Sequence, residues 1–257
     1  MKPGLVSVTF RKLPAQEIVD LCVRSGLKTI EWGGDVHVPP GDVLCASRIG
    51  DLTRSAGLSI SAYGSYYRLA SGEDFERVLA CAEALGAPAI RVWAGQQGSA
   101  ATGLNTRRAV IEDALLCADL AGSKGISICY EFHDGTLMDT TESAIALLAE
   151  TEHPFIQSLW QPPHGQSLEN CLKSLRAIMH RLHHVHVFHW WPDPGTRHPL
   201  ADGQERWNAY VAELCVSSKR PDLLLEFVCN DDPSLLAGDA QTLLGILANP
   251  SPELGSP

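Results

Sequence analysis

The stretch NTRRAVIEDALLCADLAGSKGISICYEFH, residues 105–133, decides the fold class. Its first part, residues 105–123, repeats apolar side chains three and four positions apart with charges between them, which is typical of an amphipathic helix. Gly125 follows, where a helix end favours a residue that tolerates a left-handed backbone. The apolar run 126–132 then predicts a short buried strand, interrupted near its end by Glu131. The stretch therefore predicts one helix and one strand of an α/β protein.

The same unit recurs along the whole chain. Short apolar runs rich in β-forming residues occur at 5–10, 28–33, 58–63, 89–94, 126–132, 155–161, 184–189 and 222–228. Segments with helical periodicity occur at 14–25, 42–56, 74–85, 105–123, 141–150, 168–180, 205–217 and 234–247. A glycine lies between the predicted helix and the next predicted strand at four junctions, namely Gly26, Gly57, Gly86 and Gly125. Eight strand–helix units predict a single closed (β/α)₈ barrel over residues 1–248, followed by a flexible tail at 249–257.

Composition and charge narrow the class of protein. Apolar residues make up 45% of the chain and the net charge is −10, from 30 acidic and 20 basic residues. This acidic balance argues against a nucleic-acid partner, because binding to phosphodiesters depends on clustered Lys and Arg. The chain has no long apolar stretch and no secretory signal pattern, which predicts a cytoplasmic protein without a membrane partner. The eight cysteines contain no CxxC pair and are expected to be reduced core residues.

Four polar residues interrupt the apolar runs of the last four predicted strands: Glu131, Gln161, His186 and Glu226. A buried ionised carboxylate is costly unless a cation or hydrogen-bond donors compensate it. In barrels of this kind the chemistry lies at the carboxyl ends of the strands, where these four residues fall. We therefore predict one divalent metal site, for Mn, Co, Zn, Fe or Mg. The alternative is that each glutamate pairs with an Arg or a Lys.

Gln161 is the weakest of the four ligands, because an amide oxygen carries no charge. It could instead bind substrate, and His164, three residues later, is a competing ligand or acid–base group. Four histidines lie within residues 183–189, so the spacing alone does not decide which of them binds metal.

Aromatic and polar residues near other strand ends predict a carbohydrate pocket, since sugar rings stack on aromatic faces while hydroxyl groups need hydrogen-bond partners. The predicted substrate-binding residues are Trp32, His37, Tyr63, Arg91, Trp93, His133 and Trp190. Each of them could equally be a packing residue beneath a loop.

Several of these motifs resemble one family, the xylose isomerase-like barrels of the sugar phosphate isomerase/epimerase group, over residues 3–248. They are Ile30-Glu31-Trp32, Tyr130-Glu131-Phe132-His133, Gln161 with His164, His184-Val185-His186-Val187, Pro199 to Trp207, and Leu225-Glu226-Phe227. The resemblance implies that Glu131, His186 and Glu226 are metal ligands. Gln161 occupies the position where the family has Asp, and His189 stands where many members have an acidic residue.

The resemblance also implies a reaction. Proton transfer on a 2-hydroxy carbonyl compound would use Glu131 and Glu226 as exchanging carboxylates, with His133, His164 and His189 as candidates to move protons between oxygens. We therefore predict a metal-dependent isomerase or epimerase acting on a sugar or keto-sugar. The alternatives are a metal-dependent lyase or dehydratase on a sugar-derived substrate, and a non-catalytic sugar-binding barrel. A phosphodiesterase with a trinuclear zinc site is disfavoured because the sequence has too few ligands. A homo-oligomer is compatible with the resemblance.

Overall fold

The computed structural model describes residues 1–250, in which strands and helices alternate. The strands are β1 (Pro3–Val6), β2 (Thr29–Gly33), β3 (Ser59–Arg68), β4 (Ala89–Trp93), β5 (Ser127–Glu131), β6 (Ile156–Trp160), β7 (Leu182–Val187), β8 (His189–Trp190), β9 (Arg197–His198) and β10 (Asp222–Leu225). The helices are α1 (Ala15–Arg24), α2 (Val43–Ser55), α3 (Phe75–Leu85), α4 (Leu104–Gly122), α5 (Thr141–Glu150), α6 (Leu168–Ile178), α7 (Gln204–Val216) and α8 (Leu236–Ala248). Eight parallel strands close in the order β1-β10-β7-β6-β5-β4-β3-β2, which confirms the predicted (β/α)₈ barrel.

Side-chain alternation along the strands separates two layers. Trp160 at the end of β6 points outward, because its Nε1 donates a hydrogen bond to Ser174 Oγ in α6 at 2.9 Å. Its neighbour Gln161 therefore belongs to the opposite face, toward the barrel interior. The main apolar core fills the space between strands and helices. A small separate cluster contains Ala62, Ala89 and Cys129. Ala89 and Cys129 lie two residues before Arg91 and Glu131 on β4 and β5, and therefore on the same face of each strand.

Some strand boundaries differ from the prediction. The first run was predicted at 5–10, but β1 ends at Val6 and Ser7–Phe10 forms a 3₁₀ turn. The last run was predicted at 222–228, but β10 ends at Leu225. Phe227, with a φ of 51°, cannot continue an extended strand.

The seventh run was predicted as one strand over 184–189. In the structure β7 covers Leu182–Val187, and the chain then enters an antiparallel hairpin in which β8 pairs with β9. Two-residue strands carry no periodicity that a sequence pattern can detect, so this hairpin was not predicted.

The glycine punctuation is confirmed, since Gly26, Gly57, Gly86 and Gly125 have φ values of 75°, 78°, 79° and 71°. All eight cysteines are free thiols, five of them buried. The predicted tail at 249–257 lies outside the described residues from residue 251 onward. Within residues 1–250, every helix is too short or too polar to cross a membrane.

Candidate metal and substrate site

A buried chain of alternating charges runs across the barrel near the carboxyl ends of the strands. Arg91 Nη1 donates to Glu131 Oε2 at 2.5 Å, and Arg91 Nε donates to Glu31 Oε1 at 2.8 Å. Glu31 Oε2 accepts from His186 Nε2 at 3.0 Å, and His186 Nδ1 lies 3.3 Å from Glu226 Oε2. None of these five side chains is more than 7% exposed. The structure therefore joins residues from both halves of the chain in one network.

Gly64 in β3 makes this network possible. It lies between β2 and β4, paired with Gly33 on one side and with Arg91 on the other. A Cβ atom at Gly64 would lie 2.4 Å from Glu31 Oε1 and 2.9 Å from Arg91 Nη2. Only a glycine therefore leaves room for Arg91 to reach Glu31.

The electrostatics of the network follow from its burial and its pairs. Burial would raise the pKa of Glu31 and of Glu226, but the neighbouring His186 and Arg91 outweigh it, so that the pKa of Glu31 is held well below its ordinary value and that of Glu226 is also lowered. Burial would lower the pKa of His186, but Glu226 and Glu31 raise it to about 10. Both carboxyl groups are therefore ionised at neutral pH.

His186 and Glu226 offer ligand atoms for a divalent cation, which would take the place of the proton that His186 keeps on Nδ1 at neutral pH. His186 Nδ1 is buried and makes no hydrogen bond in the described chain, although it faces Glu226. Gln161 donates its Nε2 to Phe132 O at 2.9 Å, which leaves its Oε1 as the free ligand atom. The three buried carboxylates of the network face one arginine and the protonated His186, so one negative charge stays unbalanced. The donor set therefore fits a divalent metal.

The predicted ligands are not gathered in one compact cluster. Among His, Cys, Asp and Glu of residues 1–250, the groups of three whose ligand atoms lie within 4.8 Å of one another are Glu31-His184-His186 and Cys129-His183-His184. Glu131 is directed toward Arg91 instead. The structure thus brings His186 and Glu226 together, and connects Glu131 to them through Arg91 and Glu31.

Two aromatic stacks form the walls above this network. Trp93 has the Arg68 guanidinium 3.7 Å from its ring centroid and His133 stacked at 4.6 Å. Trp190 stacks on His164 at 5.2 Å with an interplanar angle of 8°. The Nε1 atoms of both tryptophans and Nδ1 of His164 are buried without a hydrogen-bond partner in the described chain. These atoms have unused hydrogen-bonding capacity, which makes them candidates for contact with the hydroxyl groups of a ligand.

Trp32 and Tyr63, two of the predicted substrate-binding residues, lie elsewhere. Trp32 is fully buried and donates its Nε1 to Thr53 Oγ1 in α2 at 3.0 Å. Tyr63 is also fully buried and donates its hydroxyl to Val38 O at 2.7 Å. Both side chains pack in the layer between strands and helices, because strand alternation turns them away from the interior. The alternative of packing residues fits their placement.

His37 and His189, predicted as a substrate-binding and a catalytic residue, each contact other residues of the chain. His37 has both ring nitrogens occupied, with Nδ1 3.0 Å from Ser7 Oγ and Nε2 3.1 Å from Leu13 O. His189 lies at the start of β8, with its ring centroid 5.5 Å from that of His198. Burial lowers the pKa of His37 and of His189, so both rings are neutral at pH 7. His189 keeps the more open position of the two.

Two members of the network were not predicted as site residues. Glu31 was noted only as part of a resembling motif, and His184 only as one of several histidines. Alternation in β7 places His184 on the face of His186, which is the signal that could have identified it. The positive φ of Phe227, next to Glu226, has no signal in the sequence.

Comparison with known proteins agrees with the fold. The model of the family described as xylose isomerase-like TIM barrel matches residues 19–228. A 3-dehydroshikimate dehydratase of Bacillus anthracis is 27% identical over 165 residues, which cover 60% of this chain and 59% of that protein. An inosose dehydratase of Clostridium botulinum is 36% identical over 69 residues, covering 26% of this chain and 23% of that protein. The chain thus spans less than two thirds of the length of either relative.

A solved structure is similar over nearly the whole chain. The probable 3-DHS dehydratase of Bacillus anthracis superposes with a TM-score of 0.79 at 20% identity, covering 95% of this chain and 99% of that one. At this identity the likeness shows the fold alone. The family match covers most of the barrel, and the closed eight-stranded architecture agrees with it. The chain belongs to the xylose isomerase-like TIM barrel family.

Proposed function

We propose that this protein is a divalent-metal-dependent dehydratase, a lyase that removes water from a sugar-derived hydroxy carbonyl compound. The observation that supports the proposal is the buried network, in which His186 Nδ1 lies beside Glu226 without a hydrogen bond in the described chain. Nδ1 of His164 is also buried without a partner there. Both relatives that align with this chain in sequence are dehydratases. The isomerase or epimerase expected from the sequence becomes the second candidate.

The metal would have a limited role. When bound by His186, Glu226, Glu131 and Gln161, a divalent cation would polarise the substrate carbonyl and stabilise the negative charge that develops on its oxygen. This makes a hydrogen on the neighbouring carbon more acidic.

The protein's own residues would move the protons. Glu131, held in one orientation by Arg91, would accept the proton from carbon. His164, in its protonated form, would give a proton to the departing hydroxyl group, which would leave as water while a carbon–carbon double bond forms. Burial lowers the pKa of His164, so only a minor fraction of the protein holds this proton at pH 7, and that protonated fraction would be the form that reacts. The stacked Trp93 and Trp190 would exclude bulk water from the reacting carbons.

Product mass tests this proposal. Metal-loaded protein is incubated with 3-dehydroshikimate, inosose and a panel of keto-sugars, and the products are analysed by mass spectrometry. We expect loss of one water from at least one compound, with activity reduced by roughly 10²–10⁴-fold in Glu131→Gln and in His164→Gln. Glu112→Gln on the exposed face of α4 is the matched control and should retain full activity. Full turnover by Glu131→Gln would contradict the assigned base.

The second candidate, an isomerase or epimerase, is favoured by one observation. Glu131 and Glu226 approach the site from β5 and from the end of β10, with β6 and β7 between them. Two carboxylates on different sides suit removal of a proton from one face of a carbon and its return to the other. Conversion without a change in mass in H₂O, together with deuterium incorporation in a parallel reaction in D₂O, would establish this candidate in place of dehydration.

A further inference from the structure

One buried glutamate outside the proposed ligand set connects the two sides of the site. Glu31 is fully buried in β2. Its Oε1 accepts from Arg91 Nε at 2.8 Å, and its Oε2 accepts from His186 Nε2 at 3.0 Å. His184 Nε2 lies 2.9 Å from the same Oε2. Three nitrogen-bearing side chains from two other strands therefore converge on a single carboxylate.

The contact with Glu31 decides which nitrogen of His186 carries a proton. An ionised carboxylate can only accept a hydrogen bond, so the 3.0 Å contact requires a proton on His186 Nε2. In a neutral imidazole the lone pair then lies on Nδ1. That atom faces Glu226 at 3.3 Å and is without a hydrogen bond in the described chain. A histidine that binds metal through one nitrogen commonly donates its other N–H to a carboxylate in this way.

Glu31 acts on the other side of the site through Arg91. The guanidinium contacts Glu31 through Nε and Glu131 through Nη1, so the position of Glu31 fixes the plane in which Arg91 approaches Glu131. The missing Cβ of Gly64 leaves the space that this arrangement needs. Glu31 thereby orients His186 directly and Glu131 through Arg91.

We propose that Glu31 is a positioning residue that holds His186 in its Nε2-protonated form and directs Nδ1 toward a divalent cation shared with Glu226. The inference rests on the proposed metal site. It assigns to Glu31 no contact with metal or substrate.

Metal affinity tests the role of Glu31 without an activity assay. The full chain, stripped of metal, is titrated with MnCl₂ in a calorimeter. We expect the Kd for Mn²⁺ to rise about 10–100-fold in Glu31→Gln. Asp239→Asn is the matched control, because it neutralises another buried carboxylate, one that accepts from Leu200 N at 2.8 Å and is no part of the proposed site; its Kd should stay close to the wild-type value. Unchanged affinity in Glu31→Gln, or equal weakening in both variants, would overturn the inference.

A second measurement needs no variant and serves if Glu31→Gln does not fold. Nitrogen NMR of the wild-type protein, labelled with ¹⁵N-histidine and loaded with Mg²⁺, reports which ring nitrogen of His186 is protonated. A proton on Nε2 supports the inference, and a proton on Nδ1 overturns it while leaving the metal site intact. Wild-type protein that binds neither Mn²⁺ nor Mg²⁺ overturns the proposed function and this inference together.

Discussion

Replacing Arg91 with methionine tests how the buried carboxylates are compensated. Arg91 is the one arginine or lysine among the buried residues of the described chain, and it is 2% exposed. It pairs with Glu31 and with Glu131, both almost fully buried. Methionine keeps much of the side-chain length but removes the charge. Glu31 would retain His186 as a partner, whereas Glu131 makes no other hydrogen bond or ion pair within residues 1–250.

Two estimates give the expected loss in the free energy of unfolding. Removing one partner of a buried ion pair costs about 3–5 kcal/mol. A glutamate that has lost its cation can instead take up a proton, which for an unfolded-state pKa of about 4.3 costs roughly 3.7 kcal/mol at pH 7 and roughly 1 kcal/mol at pH 5. The folded variant then holds a proton that its unfolded chain releases, so its stability falls as the pH rises. We expect Arg91→Met to lose about 4 kcal/mol at pH 7 and clearly less at pH 5.

Urea unfolding followed by circular dichroism measures this loss. Wild type and variant are compared at pH 7 and at pH 5, in EDTA so that no metal replaces the missing cation. Arg108→Met is the matched control, because Arg108 pairs with Glu112 on the surface of α4 with 80% and 62% of the two side chains exposed. Such a surface pair contributes at most about 0.5 kcal/mol. The reasoning is refuted if Arg91→Met loses less than about 1 kcal/mol at pH 7, or as much at pH 5 as at pH 7.

Other positions give simpler expectations. Gly57→Ala should destabilise the fold by about 1 kcal/mol, because φ is 78° and the new Cβ would find no contact within 4 Å. Gly238→Ala should stabilise the fold by about 1 kcal/mol, because alanine favours the helical backbone of α8 and its Cβ meets no other atom within 4 Å. Urea unfolding curves of the two variants that shift in the same direction would contradict both expectations. Burial lowers the pKa of His183 from 6.5 to about 3. At pH 5 the unfolded chain therefore binds a proton at this histidine, whereas the folded chain does not. Stability should therefore fall by about 2 kcal/mol from this group between pH 7 and pH 5, and His183→Gln should flatten that pH dependence of the unfolding free energy. Gly203→Ala would place a Cβ 2.5 Å from His189 Nδ1; if His189 moves protons, kcat should fall by up to about 100-fold while a titration shows unchanged Mn²⁺ affinity.

The fold could be predicted because it depends on local periodicity. Each strand–helix unit carries its own pattern, and glycine marks the same junction four times, so eight units could be counted from the sequence alone. The β8–β9 hairpin could not be predicted, because its two-residue strands are defined by their pairing with each other and by no repeat of their own. The turn at Phe227 depends on a backbone conformation that its residue type disfavours.

The site could be predicted only in part, because burial of a charge shows that a partner is needed without showing which one. Glu31 meets Arg91 across 60 residues and His186 across 155 residues, and no local pattern joins positions so far apart. The sequence offered an ion pair and a metal as alternatives for the buried glutamates. The structure contains the ion pair at Glu131, whereas the metal explanation is our proposal for His186 and Glu226 in another part of the same network.

The charge of this network gives a reason for the neutral residue at position 161. If a metal takes the place of the Nδ1 proton of His186, that ring is neutral, and the three glutamates Glu31, Glu131 and Glu226 then carry three negative charges against one positive charge on Arg91. Two uncompensated negative charges remain in a buried place, which is costly in a low-dielectric interior. One divalent cation balances them. An aspartate at Gln161 would add a third negative charge, which one divalent cation would not balance in this network. Because Arg91 is already shared between two glutamates, a neutral ligand suits this position, and the amide of Gln161 adds an oxygen donor without adding charge.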